Sequence, residues 1–210
     1  DSYAIVRSAL FNQVFYYLTP MIEDRNSLQL PVNQDRKWSS VDARDVADAV
    51  YRLSRQNGQR EGVFFGSLGN EQRLYQFTGN QARNGQEIAR EYSEALGNRN
   101  VEYRQIQQQE LENYLNGIRD DPRFRSRPKE HGAEQGNNDD QKQRRDRPHS
   151  FPLGRFLNNE YIRLIAEYFA LADRGKLEFN TPDLQQALGR QPQELREYFK
   201  NNRDNFNRLR

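Results

Sequence analysis

A chain of 210 residues holds one full domain, or one domain and a small extension. With 34% hydrophobic and 30% charged residues it is lean in apolar content, so some segment carries no core. A net charge of +2 argues against the concentrated basic face that direct nucleic-acid binding needs, and the absence of cysteine excludes disulfides, thiolate metal sites and a thiol nucleophile.

The chain opens on an alternation. Tyr3, Ile5 and Arg7 interleave with Ala4, Val6 and Ser8, which predicts a buried strand over 2–7 running into a loop and a helix. Leu10, Val14, Tyr17, Leu18 and Met21 give helical spacing over 10–24, and "LQLPV" at 28–32 reads as a short extended piece. Val41 is extended, and a helix starts at Asp42 or Arg44–Asp45 with Val46, Ala49, Val50 and Leu53 on one face and Gly58 near its end. "RLYQFTGN" is a strand stopping at Gly79. Asn84 or Gly85 then opens a helix carrying Ile88, Ala89, Tyr92, Ala95 and Leu96, closed by Gly97. "VEYRQI" at 101–106 is another strand, and a helix follows with Leu111, Tyr114, Leu115 and Ile118 on one side.

The composition then shifts. Residues 120–150 hold balanced charges with Pro, Gly and Gln, cannot bury enough surface to offset their ordering entropy, and read as a disordered insertion. Periodicity returns with Phe156, Tyr161, Leu164, Ile165, Tyr168, Phe169 and Leu171, a wide apolar face on a helix capped by Gly175. Thr181 has the residue type and place of an N-cap before Pro182, in a short helix ended by Gly189. Pro192 starts a last helix with Leu195, Tyr198, Phe199 and Phe206 as its apolar positions. No apolar run approaches the ~20 residues of a membrane span.

Chemistry-bearing residues are few. His131 and His149 both fall within 120–150, where no rigid scaffold would position a base or metal ligand, so no catalytic or metal site is expected. Asp42 and Asp45 flank Arg44 as an acidic pair beside a cleft or as helix-capping groups, and capping accounts for the residue types. Trp38, the single tryptophan, could line a pocket or cover the edge of the core, with packing preferred. "RRDR" at 144–147 is diluted by Asp139, Asp140 and Asp146 and reads as a solvated linker.

The ordered phrases "YAIVRSALF", "LQLPV", "VDARDVADAVYRL", "YQFTGNQARNGQEIAREYSEALG", "VEYRQI" and "LEFNTPDLQQALGRQPQELREYF" together resemble the C-terminal part of NmrA-like proteins, an atypical branch of the short-chain dehydrogenase/reductase superfamily. The likeness spans nearly everything outside 120–150. It implies an α/β fold: residues 1–119 as the C-terminal part of a Rossmann-type domain with its substrate lobe, and 151–210 as a helical lobe of the same domain. It also implies that the N-terminal dinucleotide-binding half lies outside this sequence. "GSLGN" at 66–70 has neither the spacing nor the context of a dinucleotide turn and reads as a loop. None of the 11 tyrosines is followed four residues later by lysine, the catalytic pattern of the wider superfamily.

By the same resemblance, Ser8, Ala9, Leu10 and Phe11 are cofactor-rim positions, with Ser8 where the family has proline; the alternative is that they only start the strand-to-helix turn and pack. Trp38, Asp42 and Arg44 fall at the substrate or partner cleft. The cofactor implied for the intact family is NAD or NADP, with none bound by this chain alone. The function implied is redox sensing or regulation through a protein partner such as a transcription factor, without catalysis, in the cytoplasm or the nucleus. The alternatives are the C-terminal half of an NAD(P)H-dependent reductase and a stand-alone interaction module. Apolar sheet edges would make such a chain oligomeric or poorly soluble.

Overall fold

The computed structural model describes residues 4–55, 74–97, 100–121 and 156–207. Gly58, the 66–70 loop, both histidines and nearly all of the proposed insertion lie outside the described residues.

The chain runs β1 (Ile5–Ser8), β2 (Leu10–Phe11), α1 (Val14–Arg25), β3 (Ser27–Leu30), β4 (Ser40–Val41), α2 (Ala43–Arg55), β5 (Leu74–Phe77), α3 (Gly85–Leu96), β6 (Glu102–Gln105) and α4 (Gln108–Asp120). Four helices follow: α5 (Asn159–Asp173), α6 (Asp183–Leu188), α7 (Leu195–Asn201) and α8 (Arg203–Asn207). The fold is α/β. Its described strands form three parallel pairs, β1 with β5, β2 with β4 and β3 with β6.

α1 is the hub. Every residue from Val14 to Ile22 is buried, so the helix has no solvent face before its last turn. Phe15 meets Phe199 edge-on, Tyr16 stacks on Phe206, and Tyr17 meets Tyr161. The Tyr114 hydroxyl accepts from Met21 N and donates to the Tyr17 carbonyl, tying α4 to the helix backbone. Asn26, at φ 51°, ends α1 in the left-handed conformation, and the chain turns directly into the fully buried β3. A second, smaller apolar cluster joins Val41, Ala49, Tyr75 and Phe77 to Leu184, Ala187 and Leu188 of α6.

The register of the β1–β5 pair sets which backbone groups meet. Val6 lies opposite Tyr75 and Ser8 opposite Phe77, and Ala9 N donates to the Phe77 carbonyl at 2.8 Å. Odd-numbered β1 residues therefore bond to β5, while Val6 and Ser8 turn their N–H and C=O groups the other way. On β5 the outward residue is Gln76. Its N–H donates to Asp183 Oδ2 at 2.8 Å, and its carbonyl accepts from Thr181 Oγ1.

Several expectations need correction. β1 is not buried: Ile5 is 51% exposed and Arg7 and Ser8 are exposed, because among the described residues the helices pack on one face of its ladder. Ser8–Phe11 is more than a turn, since β2 pairs with β4. Thr181 does not cap α6; Pro182 occupies that position, and the threonine serves the edge of β5 instead. On α5 the buried stripe is Ile162, Ile165, Ala166, Phe169 and Ala172. Leu164, 57% exposed, and Leu171 point outward, because small alanines let the helix sit close on the core. The predicted helix opening at Asn84 or Gly85 is realised. Asn84 and Glu87 form a reciprocal capping box at the start of α3. Gly85 follows because a Cβ there would lie 2.2 Å from the Tyr103 ring.

Candidate functional site

Parallel strands gather their C-terminal ends, and in α/β folds ligands bind outside those ends. Here β1 ends at Ser8, β2 at Phe11 and β4 at Val41, immediately before Asp42. Ser8 is exposed, and its hydroxyl donates to the Ala9 carbonyl at 2.9 Å. Ala9 is half-buried, Leu10 is in the core, and the Phe11 ring is 37% exposed. These four form a short rim of mixed exposure.

Behind the rim lies a polar lock. Asp42 is 2% exposed. Its Oδ1 accepts from Gln13 Nε2 and from Arg44 N, both at 2.9 Å, and its Oδ2 accepts from Arg44 Nε at 3.0 Å and Nη2 at 2.8 Å. Gln13 Oε1 in turn accepts from Ala43 N at 3.2 Å. Hydrogen bonding to Asp42 holds the Arg44 guanidinium above its ordinary pKa, against the opposing effect of burial. A carboxylate so occupied is a structural anchor for the start of α2, with both oxygens committed. Asp42 and Arg44 thus sit together, as the sequence reading placed them, but bonded to each other.

Next to the lock, the Tyr16 hydroxyl donates to Asn202 Oδ1 at 3.0 Å, and Asn202 Nδ2 donates to the Tyr198 carbonyl at 2.7 Å. The Tyr198 ring is fully buried, and burial first, then the neighbouring Tyr16, pushes its hydroxyl well above the usual tyrosine range. Burial likewise raises Tyr17, Tyr103, Tyr114 and Tyr161, and Tyr168 is pushed up to about 12. A tyrosine acid/base needs a neighbouring cation to lower its pKa toward the working pH. These hydroxyls are shifted in the opposite direction.

Trp38 precedes β4 by two residues and packs into the core. It is 2% exposed, its indole meets Phe169 edge-on at 5.9 Å, and its backbone bridges Arg83 through bonds of 3.0 and 2.9 Å. Asp45 faces the helical lobe, accepting from Arg190 Nη2 at 2.7 Å and Gln193 N at 2.6 Å. Arg83 binds Glu91 and Glu194, and Asn80 Nδ2 donates to both Pro192 O and Glu194 Oε1. The segment 190–194 is thereby held on both sides. Gln13, Tyr16, Arg83, Glu194 and Asn202 were not singled out from the sequence. Each has a partner 29 to 186 positions away, and no local pattern encodes such pairings.

A dinucleotide pyrophosphate needs an open helix N-terminus. Among the described residues the longer helices offer none. α1 is buried, Asp42 occupies the start of α2, α3 and α4 carry capping boxes, and Asn158 caps α5. The described residues therefore do not fit a pyrophosphate. Among them no group of His, Asp or Glu could hold a metal ion, and no helix is long and apolar enough to cross a membrane.

No known family model matches the chain, and no curated protein matches it. Solved structures do. A nucleoside-diphosphate-sugar epimerase from Staphylococcus aureus aligns with TM-score 0.58 and 17% identity, over 94% of this chain and 52% of that one. The triphenylmethane reductase of Citrobacter sp., solved with NADP(H), aligns with TM-score 0.58 and 15% identity, over 92% and 50%. An NADPH-dependent quinone oxidoreductase from Escherichia coli aligns with TM-score 0.57 and 16% identity, over 90% and 51%. The α/β fold thus resembles that of NAD(P)-binding Rossmann-like proteins, and the chain spans about half the length of these neighbours.

Proposed function

We propose that the chain is the partner-facing portion of an NAD(P)-linked, NmrA-like regulatory protein, non-catalytic as it stands. The observation that carries this reading is the pairing of a reductase-like fold with a strand-end site whose buried carboxylate, Asp42, is locked by Gln13 and Arg44. A rim at Ser8–Phe11 suits contact with a cofactor held chiefly by another α/β half. A sensor of this kind signals only when the dinucleotide binds two states of the protein unequally. The partner class that fits a regulatory reading is a protein such as a transcription factor, met through the helical lobe.

The test is calorimetric titration of the 210-residue chain with NADPH and with NADP⁺, alongside absorbance at 340 nm with a quinone acceptor. The expected results are no binding tighter than ~1 mM and no NADPH oxidation. Micromolar binding, or turnover, overturns the reading.

A further inference from the structure

The two apolar clusters are unequal, and residues 178–193 run between two anchors in the larger. Leu177, just before the segment, packs against the main core, and Leu195, just after it, is buried there. Between these anchors Leu184, Ala187 and Leu188 of α6 belong to the smaller cluster, on α2 and β5.

Polar ties hold the segment down, and each uses a side chain. Asn180 Nδ2 donates to the Asn80 carbonyl at 3.1 Å, and Asp45 accepts from Arg190 and from Gln193 N. Thr181 Oγ1 donates to the Gln76 carbonyl, and Asp183 Oδ2 accepts from Gln76 N at 2.8 Å. Among the described residues no backbone-to-backbone hydrogen bond joins 178–193 to the rest of the fold. The main core differs: there Phe199 and Phe206 pack their rings on Phe15 and Tyr16 of α1. A segment with few buried apolar side chains and no shared ladder opens at lower free energy than such a core.

We propose that residues 178–193 are a flap that opens as one unit while the main core stays folded, with Thr181 and Asp183 as its latch on Gln76. Opening bares the outer edge of β5. Ala9 of the rim packs against the same small cluster, so an open flap also withdraws support from the rim. The chain thereby has two states that differ beside the candidate site, which is what a ligand-driven switch requires. The flap follows from the packing of this chain and does not rest on dinucleotide binding.

The experiment is native-state hydrogen exchange of the 210-residue chain in rising sub-denaturing urea, read by NMR. After correction for intrinsic rates, the amides of Gln76, Gln186 and Gly189 are expected to exchange through one shared opening of weak urea dependence. That exchange should be about a hundred-fold or more faster than at Leu18 and Thr19 of α1. Thr181→Val removes the latch hydroxyl without touching α6, and should speed the Gln186 and Gly189 amides about five-fold. Phe206→Leu weakens only the main core. It should speed the α1 amides about ten-fold and leave the flap amides unchanged, because the flap opens with that core intact. Circular dichroism verifies that both variants are folded; if one is not, the urea series on the parent decides. Flap amides that exchange together with α1, or a Gln76 amide that follows α1 rather than α6, overturn the proposal. So does a Phe206→Leu variant that speeds flap and core alike, or a Thr181→Val variant whose flap amides exchange as in the parent.

Discussion

Asp45 separates two physical accounts of the start of α2. If it serves only the helix dipole, Asp45→Ala costs about 0.3–1 kcal/mol. The structure assigns it a larger role, because it is buried and accepts two bonds from the segment joining α6 to α7. Truncation leaves the Gln193 N–H unpaired in a partly buried place, at a cost of about 1–3 kcal/mol. The Arg190 guanidinium is about half exposed, so the lost ion pair adds less than ~1 kcal/mol. The expected total is about 1–4 kcal/mol, a fall in Tm of about 2–16 °C for a chain of this length. Thermal and urea unfolding followed by circular dichroism measures it. Arg190→Ala is the control: it leaves the Gln193 bond intact and should cost less than ~1 kcal/mol. A loss for Asp45→Ala no larger than that of Arg190→Ala refutes the clamp and restores the dipole account.

Glu194 gives a pH signature. Burial alone would raise its pKa, but the bonds from Asn80 and Arg83 outweigh burial and hold it below the usual value. A depressed carboxylate stabilises the fold above its unfolded pKa, about 4.3, and loses that contribution as pH falls through the folded value. Acid titration of stability should therefore be shallower below about pH 4.3 in Glu194→Gln; an unchanged acid limb would argue against the Arg83 contact. Two glycines in or at helices should respond oppositely to alanine. Gly85→Ala drives a methyl into the Tyr103 ring and should cost about 1–3 kcal/mol, whereas Gly117→Ala meets nothing within 4 Å and should gain about 0.5–1 kcal/mol. Equal effects in urea melts would contradict the packing of α3 on β6.

Local signals were legible where a single element could satisfy them. The helix opening at Asn84 or Gly85, the helix end at Gly189 and the alternation of Tyr75 and Phe77 each involve neighbours in sequence, and each is realised. Faces decided by a distant partner were harder. Leu164 and Leu171 belong to the apolar pattern of α5, yet the core takes its alanines, a choice set by how closely the helix must approach. Thr181 has the residue type and position of a cap, but the unpaired carbonyl of Gln76 competes for its hydroxyl. At the candidate site the sequence pointed to Asp42 and Arg44 but not to Gln13 or Asn202, because hydrogen bonds across 29 and 186 positions leave no periodic trace.

The burial of α1 also has a consequence for biosynthesis. Its cover comes from residues made far later: Phe199 packs on Phe15, Phe206 stacks on Tyr16, and Asn202 accepts from a hydroxyl 186 positions earlier. At ordinary translation speeds that separation is roughly 10–40 s. Throughout that interval a helix destined for burial from Val14 to Ile22 waits without its lid, and transiently exposed apolar surface of this kind is what makes incomplete chains prone to aggregation.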